Sequence, residues 1–151
     1  MDPFTISTGV LACISISLKV LVGLKQLKAN VGGESIGSAS IDVLSADISG
    51  LRKVLQSMED AFQDTNDEQA VRETGHRGAH WRSLRRCLND GHWVLSDFDE
   101  MLFDLSKKVK VLDPSRMKSR LQSAAARFVL LGQQLQAYKD AFRVSLEVIA
   151  L

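Results

Sequence analysis

The sequence predicts an all-α fold, an up-down four-helix bundle of long helices. Three observations predict it. Apolar residues recur at alternating steps of three and four over long segments, the spacing of a single helix face. No segment shows strand-like alternation, and no repeat returns at a fixed 20–50-residue period. The 151 residues are 45% apolar and include only two prolines. That is enough apolar material for one domain with a sizeable core, and too much for a disordered chain.

The first helix is expected at about 3–30. Asp2-Pro3 reads as an N-cap followed by proline at the first helical position. Between Phe4 and Leu24 the only charge is Lys19. One seam runs Leu11, Ile14, Leu18, Leu21, and a second runs Ile6, Val10, Cys13, Val20, Leu24, Leu27. A helix apolar on two faces is buried on two sides or meets lipid. The dense pattern from Leu11 to Leu27 is expected to anchor the helix in the core, leaving Phe4 to Val10 free to act elsewhere. A transmembrane span is the second reading, because serines, threonines and Lys19 dilute the stretch. A secretory signal is not expected, since Asp2 stands where a basic region should begin.

The second helix is expected at about 38–63, with the stripe Ile41, Leu44, Ile48, Leu51, Leu55, Met58, Phe62. Ser38 or Ser40 is a candidate cap. The polar run after it has room for a short helix near 66–74. The third helix is expected at about 79–111, on Trp81, Leu84, Leu88, Leu95, Phe98, Leu102, Leu105 and Val109, with Gly91 at the skipped position. A small residue on the seam points to a close helix approach or a bend. Asp113-Pro114 breaks the chain and restarts it. The fourth helix is expected at about 115–150, with Met117, Leu121, Ala124, Phe128, Leu131, Leu135, Tyr138, Phe142, Ser145 and Ile149 in register.

Catalysis needs convergent polar groups, and the sequence does not assemble them. It has no GxSxG, no glycine-rich phosphate loop and no HExxH. His76 and His80 are four apart, but Gly75 and Gly78 mark the stretch as a loop, and no second cluster completes four ligands. Asp97, Asp99, Glu100 and Asp104 flank seam residues and read as a solvated face. No enzyme activity, cofactor or metal is expected. Cys13 and Cys87 lack CxxC spacing, so a disulfide scaffold is not expected and a reducing, cytoplasmic setting is.

The formal net charge is only +1, which excludes a generic nucleic-acid coat. Locally the charge is uneven. Residues 34–74 carry three bases against nine acids, and residues 75–151 carry thirteen bases against eight acids. Arg82, Arg85 and Arg86 share one helix face. Lys107, Lys108, Lys110, Arg116 and Lys118 gather, with Lys25, Lys28 and Arg120, at one end of an up-down bundle. Lysines at a helix C-terminus suit the macrodipole, whereas the bases at the start of the fourth helix oppose it. These two basic sets are the candidate sites for anions or lipid headgroups.

Four stretches carry a family resemblance. They are Met1-Asp2-Pro3-Phe4 with the Ser/Thr-spotted apolar helix to Lys25; Asp47–Met58; Trp81-Arg82-Ser83-Leu84 leading to Lys110; and the closing helix from Ser115. Together they resemble fungal HeLo-like N-terminal domains, in the group named after an azaphilone-pigment-cluster protein. The resemblance implies a single domain over 1–151, the front of a longer protein of the NLR or STAND type, or of an amyloid-signalling protein. It implies an effector of programmed cell death, heterokaryon incompatibility or innate immunity. Such a domain would act by oligomerisation and by recruitment from the cytoplasm to the plasma membrane. The insertion residues would be Phe4, Ile6, Val10, Leu11 and Ile14. The partners would be further copies of itself, anionic lipids and neighbouring signalling domains. A protein–protein adaptor without lipid contact is the alternative.

Overall fold

The computed structural model describes residues 3–31, 36–64, 75–109, 111 and 113–150. They form four helices: α1 (Pro3–Val31), α2 (Ile36–Asp64), α3 (Gly75–Val109) and α4 (Pro114–Ala150). Among the described residues there is no strand. The 3–4 stripes are the core. Ile41, Leu44, Ile48, Leu51, Leu55 and Met58 of α2 are buried, as are Leu84, Leu88, Leu95, Phe98 and Leu102 of α3. On α4 the stripe from Leu121 to Phe142 is buried apart from Tyr138, which is half-buried. Phe98 and Phe128 meet edge to face at 5.5 Å between ring centroids, joining α3 to α4.

Chain direction alternates up and down, and the neighbours are specific. The most extensive contacts are α2 with α4 and α1 with α3, followed by α1 with α2 and then α3 with α4. The α1–α3 pair runs parallel at a constant offset, with Gly9 against Leu88 and Gly23 against Leu102. The α1–α2 pair is antiparallel, since Ser7 reaches Glu59 and Lys28 reaches Asp42. Consequently α1 and α4 stand diagonally across the bundle.

The helix ends differ from the sequence reading in four places. Helix α2 already begins at Ile36, so Ser38 and Ser40 lie inside it and do not cap its start. Helix α3 begins at Gly75, which puts His76 and His80 on its first turns and not in a loop. Glycine is tolerated there because first-turn N–H groups have no partner one turn back to lose. Helix α3 ends at Val109, where a turn follows with the Val111 N–H bonding the Lys108 carbonyl at 3.2 Å. Helix α4 starts at Pro114 itself. Asp113 is its cap, accepting the Arg116 N–H at 2.9 Å and the Ser115 hydroxyl at 3.0 Å. Those bonds, the Arg116 one first, hold the Asp113 carboxyl below its usual pKa. The cap is therefore intact above the ordinary carboxylate range and weakens as pH falls through the lowered value. The short helix expected near 66–74 and the Asp2 cap lie outside the described residues.

Gly91 is buried, and α3 runs through it unbroken. A methyl group there would lie 3.9 Å from Tyr138 Cγ, an ordinary contact. Glycine inside a helix costs about 1 kcal/mol relative to alanine. Gly91→Ala should therefore raise stability by roughly that amount, which is about 2–4 °C in a thermal melt. A lower melting temperature would mean that α3 and α4 approach more closely than this packing allows.

Candidate functional site

The site is built on α1, whose outward face carries a line of large apolar side chains; the other helices expose apolar residues too, Val43, Trp93, Phe103, Val129, Leu130 and Val144. Val10, Cys13, Val20, Leu24 and Leu27 face the core. Ser17 joins them, its hydroxyl donating to the Cys13 carbonyl at 2.7 Å. The opposite face is Leu11, Ser15, Leu18, Val22 and Lys25, again at steps of four and three. Leu11 is 50% exposed, Leu18 42% and Val22 56%. This corrects the expectation that Leu11 to Leu27 is buried on both sides. The Val10–Leu27 seam is fully inside, whereas the second seam is split: Ile14 and Leu21 pack against the core, and Leu11 and Leu18 are left on the outside.

The five expected insertion residues divide accordingly. Leu11 is on the outer face. Ile14 is half-buried and packed against the core. Val10 is fully buried, so it is not on any lipid-accessible surface of the folded bundle. Phe4 and Ile6 belong to the first turns of α1, but their side chains lie outside the described residues. Sequence reasoning missed Val22, and it assigned Leu18 to the core. The signal was present: Leu18 and Val22 continue the line of Leu11 and Ser15.

Polar ties hold α1 in place. The Ser7 hydroxyl donates to the buried Glu59 carboxylate at 2.8 Å. Lys28 pairs with Asp42 at 2.6 Å, and Lys19 with Asp99 at 3.3 Å. The Cys13 thiol donates to the Leu88 carbonyl at 3.3 Å. Burial pushes the Cys13 thiol up to about 12, so it is inert while α1 stays docked. Cys87 is also raised, by burial first and then by Asp90, against the opposing effect of Arg86.

The basic residues are spread over two ends. Lys107 and Lys108 close α3, while Arg116 and Lys118 open α4 at the same end. Lys110 lies outside the described residues. Lys107 sits over the Phe103 ring at 4.3 Å, and Phe103 lines the groove toward α1. Arg116 lies 3.8 Å from Asp113. Arg82, Arg85 and Arg86 are exposed near the start of α3, roughly 30 Å along the axis from Lys107 at 1.5 Å per residue. The two sets cannot be one patch. Lys25 ends the outer stripe of α1, and Lys107 stands on the neighbouring helix, whereas Arg116 and Lys118 belong to the diagonal helix. Between α3 and α4, Lys108, Arg120 and Arg127 converge with Ser123 and Asp104 around a groove of about 290 Å³. Arg127 is a further residue that the sequence reading did not select.

Among the described residues no group of three or more His, Cys, Asp or Glu side chains could hold a metal ion. No family model matches the chain, and no curated protein and no solved structure matches it.

If the outer stripe of α1 is the surface that meets anionic lipid, the two lysines beside it matter most. Each base near such a surface contributes about 1 kcal/mol. Lys25→Glu with Lys107→Glu should weaken binding to phosphatidylserine vesicles by at least about 30-fold, with wild-type binding falling as salt rises. Arg116→Glu with Lys118→Glu should do less. The reverse order would mean that the end of the bundle, not the side of α1, faces the lipid.

Proposed function

We propose that this chain is an effector or signalling domain that works at an anionic membrane, in oligomeric form, through the outer face of α1. The observation that carries this reading is the mismatch between α1 and its place in the bundle. The stretch Ser7–Asn30, 24 residues, holds an 18-residue window of mean hydropathy 1.8, long and apolar enough to cross a bilayer. Only 28% of that window is buried. A helix packed at the rim of a water-soluble bundle ordinarily turns charges outward. This one turns out Leu11, Leu18 and Val22, flanked by Lys25. The reading agrees with the resemblance to fungal HeLo-like domains, which would make the chain the membrane-directed front of an immune-type receptor or cell-death protein. In that setting it resides in the cytoplasm and moves to the plasma membrane on activation.

The second reading is a protein–protein adaptor. It is favoured by the spacing of the same residues. Leu11, Ser15, Leu18, Val22 and Lys25 follow the a/d steps of a coiled-coil seam, and Ser15 and Lys25 are more at home against another helix than in lipid.

The two readings separate on one variant and one assay. Leu11 and Leu18 are exposed, so Leu11→Glu with Leu18→Glu should leave the melting temperature nearly unchanged. A charge in the hydrocarbon region costs about 2.5–3.5 kcal/mol. Binding to phosphatidylserine vesicles and dye leakage from them should therefore fall by about 100-fold or more. Wild-type protein that neither binds nor permeabilises vesicles in any oligomeric state would overturn the membrane reading and leave the adaptor.

A further inference from the structure

The α3–α4 groove holds more positive charge than its walls neutralise. Lys108 enters it from α3, and Arg120, Ser123 and Arg127 enter it from α4. One carboxylate, Asp104, lines it as well, but Lys108, Arg120, Arg127 and Asp104 form no ion pair with any described residue. A second open groove, of about 530 Å³, adjoins the first and shares Arg120 and Ser123 with it. It adds Arg116 and Ser119, and no carboxylate is among the described residues that line it. Arg116 lies 3.8 Å from Asp113, whose carboxylate is already engaged as the cap of α4.

The sequence builds this face at helical spacing. Positions 116, 119, 120, 123 and 127 follow steps of three and four, so they share one side of α4. From Pro114 to Lys139 there is no Asp or Glu to balance them. Helix stability does not account for the pattern. Arg116 and Arg120 repel each other at i,i+4, and Arg116 in the first turn opposes the macrodipole. An anion in the groove relieves both. Guanidinium forks beside hydroxyls are the donor set that phosphate oxygens accept. Arg116 and Arg127 stand about 16 Å apart along the axis at 1.5 Å per residue. That is several times the width of one phosphate.

We infer that the double groove binds a ligand with linked phosphate groups. One phosphate meets Lys108, Arg120 and Arg127, and the next meets Arg116, Ser119 and Arg120. Asp104 opposes the first. A free polyphosphate and a polyphosphorylated lipid headgroup share this chemistry. The walls are α3 and α4, and α4 is diagonal to α1, so the groove opens on a different side from the outer stripe of α1. The inference therefore does not rest on the membrane role of that stripe.

Titration calorimetry of the whole chain with tripolyphosphate, in low salt and without divalent cations, tests this. Wild type should bind one tripolyphosphate per chain, more weakly as salt rises. Arg120→Gln, which removes the residue common to both halves, should weaken binding by at least about 10-fold. Asp104→Asn should tighten it by about 3-fold or more, because an opposing charge is gone. Lys53→Gln removes an exposed charge of α2 and should change it by less than about 2-fold. Circular dichroism checks each fold. Arg120→Lys, which keeps the charge and loses the fork, replaces an Arg120→Gln variant that unfolds, and should still weaken binding. Phosphatidylcholine vesicles containing phosphatidylinositol bisphosphate identify the source. Vesicle binding that ignores Arg120→Gln assigns the groove to a free polyphosphate, and vesicle binding that falls with it assigns the groove to a headgroup. Wild type that binds neither probe, equal losses for Lys53→Gln and Arg120→Gln, or an Asp104→Asn variant that binds no tighter would overturn the site.

Discussion

The arrangement depends on the parallel packing of α1 against α3. Gly9 and Gly23 lie two heptads apart on α1 and receive Leu88 and Leu102, so a methyl group would come within 3.5 Å and 3.4 Å of the leucine side chains. Two contacts at one constant offset mark the register of α1 against α3. Rotation decides which of the two apolar seams of α1 enters the core. With the glycines turned to α3, the Val10–Leu27 seam is inside and Leu11, Leu18 and Val22 are outside. The same register brings Lys19 beside Asp99 and the Cys13 thiol onto the Leu88 carbonyl. It also opens the groove beside Phe103.

Held this way, α1 combines an apolar outer face with polar anchors. Ser7–Glu59 and Lys28–Asp42 tie its two halves to α2, and Lys19–Asp99 ties its middle to α3. The exposed ties are individually weak, since surface ion pairs contribute about 0–1 kcal/mol. The buried Glu59 is different in kind. Removing a donor from a buried carboxylate costs about 1–3 kcal/mol or more. The first turns of α1 are thus fastened more firmly than an exposed pairing alone would fasten them. Under the proposed membrane role, this would let the outer face meet lipid while the bundle stays intact.

Much of the fold was legible in the sequence because α2, α3 and α4 each carry a single 3–4 stripe, and among the described side chains those stripes form the core, with Met117 and Tyr138 half-buried against it. Helix α1 was legible as a helix but not as to its orientation. Both of its seams are apolar, so hydropathy alone is silent on which one the register with α3 turns inward. The choice of neighbours was also hidden. An alternating up-down order is compatible with several arrangements around the core, and local periodicity is silent on which parallel helices touch. That hidden choice puts Lys25 and Lys107 on neighbouring helices and Arg116 and Lys118 on the helix diagonal to α1, where the sequence grouped them by shared end alone. It likewise conceals Arg127 until α3 and α4 are brought together. The start of α3 was misread for a local reason, because Gly75 and Gly78 break a helix interior but not its first turn.

The most direct measurement concerns the environment of the outer face of α1 when the protein is bound to a membrane. A nitroxide attached through Leu18→Cys, with Cys13 and Cys87 replaced by alanine, reports whether oxygen or a water-soluble nickel complex reaches it. A second label at Trp93→Cys, 66% exposed on α3 in the wild-type bundle, is the reference. With phosphatidylserine vesicles, the label at position 18 should gain oxygen access and lose nickel access, while the label at position 93 stays in water. A position 18 label that remains in water on vesicle-bound protein would contradict the assignment of this face to lipid.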